Sequence, residues 1–339
     1  MAKLGTNRDD GTVGIDIGGH SIKVAVMSGS SEEPLLEAYN VTNLSASLDK
    51  VDLRQEVKKA LEDIDIHPRS VNLAIAGPDV IVRFITLPKM TKVQLEAALV
   101  FEAEKYIPFN VREVVLDSVV LGDAQEAGQM KVLLTAAKRV PVEERVRIFT
   151  DMGMQVNFID VNAFAAFNTF ISSGLEKSKN VVALVEIGHS LTSLLISVDG
   201  APFFMRQIQI GGGDIEVLIA RNLSVTMEKA GEYKAGSGDF DKETVDNCVK
   251  KVLDDIVREI QLSFGYFEGT CNKSIEGMYC SGGMLYTNGV LDYLSEKMGT
   301  TVEKWDPLFG VKTSDVISRQ DIDLVSSRLA VSIGLAKRG

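Results

Sequence analysis

Two short segments of the chain place a glycine two residues after an acid, a combination suited to binding phosphate. The segments are Asp16-Ile17-Gly18-Gly19-His20-Ser21-Ile22-Lys23 and Glu186-Ile187-Gly188-His189-Ser190-Leu191-Thr192. Glycine adopts positive φ angles and lets backbone amides approach a phosphate closely, because it has no Cβ. Two such turns facing each other would clamp a polyphosphate.

Both segments are predicted to be the turns of β-hairpins. Apolar, β-branched residues flank the first at 13–17 and 22–27, and the second at 181–185 and 194–198. This is the pattern of two strands joined by a tight turn. A single turn of this kind more often only closes a hairpin. The acids stand at positions 16 and 186 of 339, however, so the recurrence indicates an internal duplication.

The composition limits the classes of partner. A chain of 339 residues with 45% hydrophobic residues predicts two ordered domains. The net charge of −11 argues against nucleic acid as a main partner, since phosphate backbones need a basic surface. The three cysteines, at positions 248, 271 and 280, lack metal-ligand spacing and are typical of reduced thiols in a cytoplasmic protein. Without a secretion signal or a long apolar run, we expect no direct membrane insertion.

The chain contains three histidines, and two of them, His20 and His189, lie in the proposed phosphate turns. No serine or cysteine nucleophile motif accompanies them, so the pattern favours polar loop residues over a catalytic imidazole.

The elements after the first hairpin predict an RNase H-like half followed by an insertion. A strand at 35–41, a helix at 48–64 and a strand at 71–76 fit such an α/β half. A helix at 94–106 and strands at 114–121 and 131–137 follow, with a further helix at 142–151.

The paired turns resemble those of the actin-like ATPase superfamily. The order Leu87-Pro88-Lys89-Met90, then Phe101-Glu102-Ala103-Glu104-Lys105-Tyr106-Ile107-Pro108-Phe109, then Val114-Val115-Leu116-Asp117 closely resembles the type IV pilus assembly protein PilM family. That family shares a small inserted subdomain with the cell-division protein FtsA. The resemblance implies an α/β, duplicated RNase H-like actin-like ATPase fold with this insertion. It implies a first core of 12–86 and 151–178, an insertion of 87–150, a second core of 179–214 and 275–339, and a cap of 215–274.

The resemblance also implies ATP and Mg²⁺ as cofactors. Asp16 and Glu186 would hold Mg²⁺ through water, and Glu186 with Asn162, in the connecting helix expected to begin near Asp160, would be the catalytic residues. The implied nucleotide-binding residues are Asp16, Gly18, Gly19, His20, Ser21, Lys23, Gly188, His189, Ser190, Thr192, Gly211, Gly212, Gly213, Lys234, Gly282, Gly283 and Met284. Asp214 is expected to be the N-cap of the helix that follows the three glycines.

Three positions depart from the pattern of the relatives. Glu186 stands where aspartate is usual, and an extra methylene displaces the carboxylate. Asn162 stands where an acid or glutamine is frequent, and an amide cannot accept a proton. Gly231 stands where the cap helix usually has glutamate, which leaves adenine selectivity open. We therefore expect slow ATP hydrolysis at most.

The resemblance implies a scaffold of a type IV pilus or related secretion platform, cytoplasmic and peripheral at the inner membrane. The implied partner is the N-terminal cytoplasmic peptide of a PilN-like bitopic membrane protein, docked around residues 88–108 and the strand at 71–76. Self-association is left open. The alternatives are an FtsA-like filament former, disfavoured because residues 327–337 lack the aromatic residues of a membrane-binding helix, and a superfamily kinase, for which no base motif is found.

Overall fold

The computed structural model describes residues 11–44, 52–124 and 126–338. The strands are β1 (Thr12–Ile17), β2 (Ser21–Gly29), β3 (Pro34–Asn43), β4 (Ser70–Ile75), β5 (Val80–Pro88), β6 (Val114–Asp123), β7 (Gln129–Lys138), β8 (Gln155–Val161), β9 (Val181–Ile187), β10 (Thr192–Val198), β11 (Ala201–Ile208), β12 (Gly277–Ser281), β13 (Val302–Lys304) and β14 (Lys312–Thr313). The helices are α1 (Leu53–Glu62), α2 (Lys92–Ala103), α3 (Arg139–Thr150), α4 (Asn162–Ser173), α5 (Gly212–Leu223), α6 (Met227–Lys234), α7 (Lys242–Cys271), α8 (Val290–Met298), α9 (Arg319–Asp323) and α10 (Ala330–Ala336).

The two large sheets share a five-strand topology, and the first has one additional edge strand, β14, from near the C-terminal end of the chain. One sheet has the order β14-β3-β2-β1-β4-β8, and the other has the order β11-β10-β9-β12-β13. In each, an antiparallel hairpin and a third strand are followed by strands parallel to the first. Strands β9 and β10 are buried along almost their whole length, as expected for sheets covered on both faces. The predicted duplicated α/β fold is confirmed.

Helices α4 and α10 cross at very short range between the halves. A Cβ on Gly334 of α10 would overlap the backbone oxygen of Ala165 in α4. The Thr169 hydroxyl donates to the Ala330 carbonyl at 2.7 Å, and the buried Asn72 amide donates to the Leu335 carbonyl at 2.9 Å. Glycine is therefore required at position 334, because any side chain would meet backbone atoms.

Replacing Gly334 by valine is expected to lower the free energy of unfolding by about 3 kcal/mol, because the added atoms must push α4 and α10 apart in a close-packed core. Urea denaturation of the variant measures this loss. Gly269 provides a control, since a Cβ there meets nothing within 4 Å. Equal losses for Gly334→Val and Gly269→Val would contradict the role of the helix crossing.

The insertion is a sheet of order β5-β7-β6 covered by α2. Helix α2 begins with a capping box, in which the Thr91 hydroxyl accepts from the Gln94 amide and the Gln94 side chain accepts from the Thr91 amide. Leu95, Leu99 and Ala103 form its buried face. The sheet starts at residue 80, whereas the sequence places the start of the insertion at 87. Helix α3 contributes the fully buried Phe149 to the core of the first half. The domain boundaries remain predictions.

Several element ends differ from the sequence prediction. The strand β8 extends through residues 160 and 161, which the sequence assigns to the connecting helix, because Ala74 of β4 pairs with Asp160. The N-cap of α5 is Gly211, and Asp214 is its third residue, with a carboxylate that accepts from the Gly211 amide at 2.8 Å. The predicted helical residues 48–51 lie outside the described residues. None of the helices described is long and apolar enough to cross a bilayer.

Candidate functional site

The turns of the two hairpins lie against each other. A Cβ on Gly19 would overlap the Ser190 hydroxyl oxygen, and the rings of His20 and His189 are stacked with their centroids 4.9 Å apart. Each turn is closed by the same hydrogen bond: the Gly18 amide donates to the Ser21 carbonyl at 3.0 Å, and the Gly188 amide to the Leu191 carbonyl at 2.9 Å. Segments 170 positions apart in the sequence therefore share one site.

Asp16 is the acid of the first turn and is almost fully buried, with 2% of its surface exposed. Its carboxylate accepts from the Lys23 ammonium at 2.9 Å and from the Asn162 amide at 3.1 Å. Lys23 is the partner of Asp16 in the β1–β2 register, and Asn162 is the first residue of α4. A buried carboxylate needs such partners, and they fix the orientation of its oxygens.

Glu186 is the acid of the second turn and lies opposite Ser193 of β10 and Ser281 of β12. Burial, and to a smaller extent the negative charge of Asp16, raise the pKa of Glu186 to about 7, while Lys23 acts in the opposite direction. Two neighbouring carboxylates, one of which ionises less readily because of the other, form a suitable place for a cation.

Replacing Glu186 by glutamine is expected to stabilise the chain more at high pH than at low pH. In the folded wild type the pKa is raised from 4.5 to about 7. The contribution of the protonated Glu186 to the free energy of unfolding is fully present below the pKa of the unfolded chain. It is lost as pH rises through the pKa of the folded protein. Between about pH 5 and about pH 8, urea denaturation should show the variant gaining up to about 3 kcal/mol relative to the wild type. A difference that does not change with pH would contradict this assignment.

Buried polar atoms around the two acids lack hydrogen-bond partners within the described part of the chain. They are Asn162 Oδ1, Ser193 Oγ, Ser281 Oγ and Gln207 Nε2. Gln207, Ser193, Glu186 and Ser281 form one row across the second sheet. Such atoms normally bind water or a ligand. A hydrated Mg²⁺, which prefers oxygen ligands and retains waters, fits the three oxygen atoms of this set and the two carboxylates, whereas the Gln207 nitrogen can only donate a hydrogen bond.

The three glycines at the start of α5, the N-cap Gly211 and the helical Gly212 and Gly213, hold the second turn in place. The Gly212 amide donates to the Gly188 carbonyl at 2.9 Å, and the Gly213 amide to the His189 carbonyl at 2.7 Å. A Cβ on Gly213 would lie 2.7 Å from His189 Nε2. The amides at this helix N-terminus are thus already bonded, while the positive end of the helix dipole remains directed at the turn.

Lys234, Met284 and Gly212 converge beside the second turn. The Lys234 ammonium donates to the Gly212 carbonyl at 3.2 Å and forms an ion pair with Glu216 of α5. The Met284 sulfur would lie 3.3 Å from a Cβ on Gly212. Glu216 also fills the space at Gly231, where a Cβ would be 3.9 Å from its carboxyl carbon. Position 231 carries no carboxylate of its own, but that of Glu216 in α5 lies beside it, which sequence spacing could not reveal.

The remaining residues implied by the sequence lie around the same two turns. Ser21 is buried at the start of β2, and Thr192 is buried at the start of β10 with its hydroxyl donating to the Ile210 carbonyl at 2.8 Å. Gly282 has φ +103° and lies against Ile187, while Gly283 borders Arg328. Their roles in binding remain predictions.

Comparisons with known proteins agree with this arrangement. A sequence profile described as type IV pilus assembly protein PilM matches residues 14–339. The chain belongs to the PilM family. It is similar to a chain of a solved PilM-PilN type IV pilus biogenesis complex, with 27% identity, 98% coverage of both chains and a TM-score of 0.87. It also shares the fold of the ethanolamine utilization protein EutJ from Carboxydothermus hydrogenoformans, with 14% identity, coverage of 97% and 90%, and a TM-score of 0.59. The actin-like ATPase fold, which implies a nucleotide-binding cleft, is thus confirmed.

Proposed function

We propose that this PilM-family protein is a cytoplasmic scaffold of a type IV pilus or related secretion platform. In this proposal it binds the N-terminal cytoplasmic peptide of a PilN-like membrane protein and is held at the inner membrane by that partner. The observation that carries the proposal is the similarity over 98% of both chains to a protein solved in a PilM-PilN complex. The family match does not favour a filament-forming or kinase function.

The proposed cofactor is ATP with Mg²⁺, bound between the two turns. Asp16 and Glu186 would hold Mg²⁺ through water, and the turns at 18–21 and 188–190 would contact the phosphates. Lys234, Glu216 and Met284 border the side where the nucleoside would lie. When bound, Mg²⁺ would neutralise phosphate charge, and its charge would also lower the pKa of Glu186.

Hydrolysis is proposed to be slow. Asn162 donates its amide hydrogens toward Asp16, and its free oxygen can orient a water molecule but cannot take a proton from it. Glu186 can accept a proton, yet in the free protein its pKa of about 7 leaves it partly protonated at neutral pH. A measured turnover above about 1 s⁻¹, ordinary for an enzyme, would contradict this part of the proposal.

The proposed peptide-docking surface is on the insertion. Half of the fourteen large hydrophobic side chains exposed among the described residues fall between positions 93 and 140: Val93, Val100, Phe101, Val115, Val119, Val120 and Val140. Val93, Val100 and Phe101 lie on one side of α2, since seven residues complete nearly two helical turns. The strand β4, expected from the sequence to line the docking site, is central in its sheet with Val71, Leu73 and Ala74 buried. The docking role of residues 71–76 remains a prediction, and the half-buried residues of this range are 75 and 76.

The test is a binding assay with the full chain and the N-terminal cytoplasmic peptide of the PilN-like protein from the same organism. Isothermal titration calorimetry should show saturable one-to-one binding to the wild type and no heat with a scrambled peptide. Absence of binding with and without Mg-ATP would contradict the scaffold proposal.

A further inference from the structure

His20 and His189 form the direct contact between the two turns, and their stacking was not predictable from their positions in the sequence. The ring planes are inclined by 25°, with centroids 4.9 Å apart. His189 lies against the N-terminal turn of α5, since Nε2 would be 2.7 Å from a Cβ on Gly213. Both imidazoles therefore occupy the junction at which the turns would have to part around a phosphate group.

The charged groups that face the pair come from several elements. The groups that interact electrostatically with His20 are His189, Glu216 of α5, Lys234 of α6 and Arg328. Those that interact with His189 are Glu216, Lys234, Asp214 of α5 and Lys23 of β2. The nearest acid is Glu216, whose carboxylate is 3.9 Å from His189 Nδ1 but is already paired with Lys234. The anionic neighbours of the pair are thus Glu216, which is shared with Lys234, and, for His189, Asp214.

The pair is held in the neutral form in the free protein. The pKa of His20 is lowered by burial and then by His189. The pKa of His189 is lowered chiefly by burial, with Lys234 and Lys23 acting in the same direction and Glu216 and Asp214 in the opposite one. Double protonation would place two positive charges in stacked rings, which repel each other. The positive end of the α5 dipole adds to this cost for His189.

We propose that His20 and His189 bind the terminal phosphate of the nucleotide, and that nucleotide binding takes up protons from solvent onto this imidazole pair. This inference depends on the proposed nucleotide site. A neutral imidazole has one N–H donor, whereas an imidazolium has two and forms stronger, charge-assisted bonds to phosphate. A polyanion between the rings adds negative charge in direct contact with both imidazoles, beyond that of Glu216 and Asp214. Nucleotide binding thus replaces the contact between two neutral rings by contacts of protonated imidazoles with the phosphate.

The sign of the pH dependence follows from linkage. In this proposal the nucleotide raises the pKa of the imidazole pair. Nucleotide affinity therefore increases as pH falls from the pKa of the bound protein to that of the free protein. Below the pKa of the free protein the affinity no longer changes with pH. Uptake of one proton corresponds to at most about a tenfold change in affinity for each pH unit in that interval.

The experiment is isothermal titration calorimetry of Mg-ATP with the full chain at about pH 7.5 and about pH 6, in buffers of different ionisation enthalpy. Wild-type protein should take up protons on binding and bind roughly fivefold or more tightly at the lower pH. The variant with His20→Gln and His189→Gln should lose the excess proton uptake. The difference between the proteins isolates the imidazole contribution, because protons bound or released by ATP and Glu186 are common to both.

His67→Gln is the matched control, since His67 is exposed and is not among the charged groups that act on the pair. It should retain the wild-type proton uptake. AMP, which lacks the outer phosphates, should give no difference between wild type and the double variant. Ring NMR of the wild-type histidines, with and without nucleotide, gives a second measurement that does not need the variant to fold: both cleft imidazoles should titrate at higher pH when nucleotide is bound.

Mg-ATP binding with equal proton uptake in wild type and double variant, or unchanged histidine titration on binding, would overturn this inference and leave the nucleotide site intact. Complete absence of Mg-ATP binding by the wild type would instead contradict the proposed nucleotide site itself, and this inference with it.

Discussion

Replacing Asp16 by asparagine is expected to weaken Mg²⁺-dependent ATP binding by about 100-fold. The substitution removes one of the two acids that act on each other across the turns and leaves the Lys23 ammonium, 14% exposed, without its 2.9 Å partner. Truncating one member of a buried charge pair generally costs 2–5 kcal/mol, and about 1.4 kcal/mol is a factor of ten. Calorimetry of ATP binding with and without Mg²⁺ measures the effect.

Asp79→Asn serves as the control for Asp16→Asn. Asp79 also forms a 2.7 Å ion pair with a lysine, Lys138, but both side chains are more than 40% exposed and lie outside the two turns. Exposed pairs of this kind contribute little, so the affinity should remain that of the wild type. An affinity of Asp16→Asn within about threefold of wild type, in a protein with unchanged circular dichroism, would show that Asp16 does not hold the cation.

Replacing Phe101 by aspartate is expected to weaken binding of the PilN-like peptide by at least about tenfold. Phe101 is 71% exposed on α2 beside Val100, in the region richest in exposed apolar side chains. Buried aromatic anchors dominate many peptide interfaces, and truncating such an anchor commonly costs 2 kcal/mol or more. A carboxylate would also have to be desolvated in the complex. Fluorescence anisotropy with a labelled peptide measures the change.

Leu324→Asp provides the comparison, because Leu324 is similarly exposed at 69% but lies on the C-terminal side of the fold, after α9. It should bind the peptide like wild type. Equal losses for the two variants would indicate a non-specific effect of surface charge. If Phe101→Asp bound the peptide with wild-type affinity, the docking site would not lie on this side of α2.

The local sequence pattern was sufficient to predict the hairpins and most of the helices. The β-branched runs on either side of residues 18–20 and 188–191 predict strands, and the same strands are observed a few residues longer. The recurrence of the pattern also predicted the duplication. These features depend on neighbouring residues, which is why a single sequence contains them.

Features that depend on distant residues could not be predicted in this way. Glu216 enters the site only because α5 and α6 pack together next to Gly231. Ser193, Ser281 and Gln207 join Glu186 through the register of the second sheet, and no motif distinguishes them from other polar strand residues. The three-stranded sheet begins at residue 80 because the strand β5 pairs with β7, about 50 positions later, a pairing that local pattern does not reveal.

The most direct test of the account is a structure of the full chain with Mg²⁺ and a non-hydrolysable ATP analogue. We expect the outer phosphates between the two turns, in contact with residues 18–21 and 188–190, and the cation between Asp16 and Glu186 with water molecules completing its coordination. Analogue bound elsewhere, or phosphates touching one turn while His20 and His189 remain stacked, would contradict the central claim that the duplicated turns form one nucleotide site.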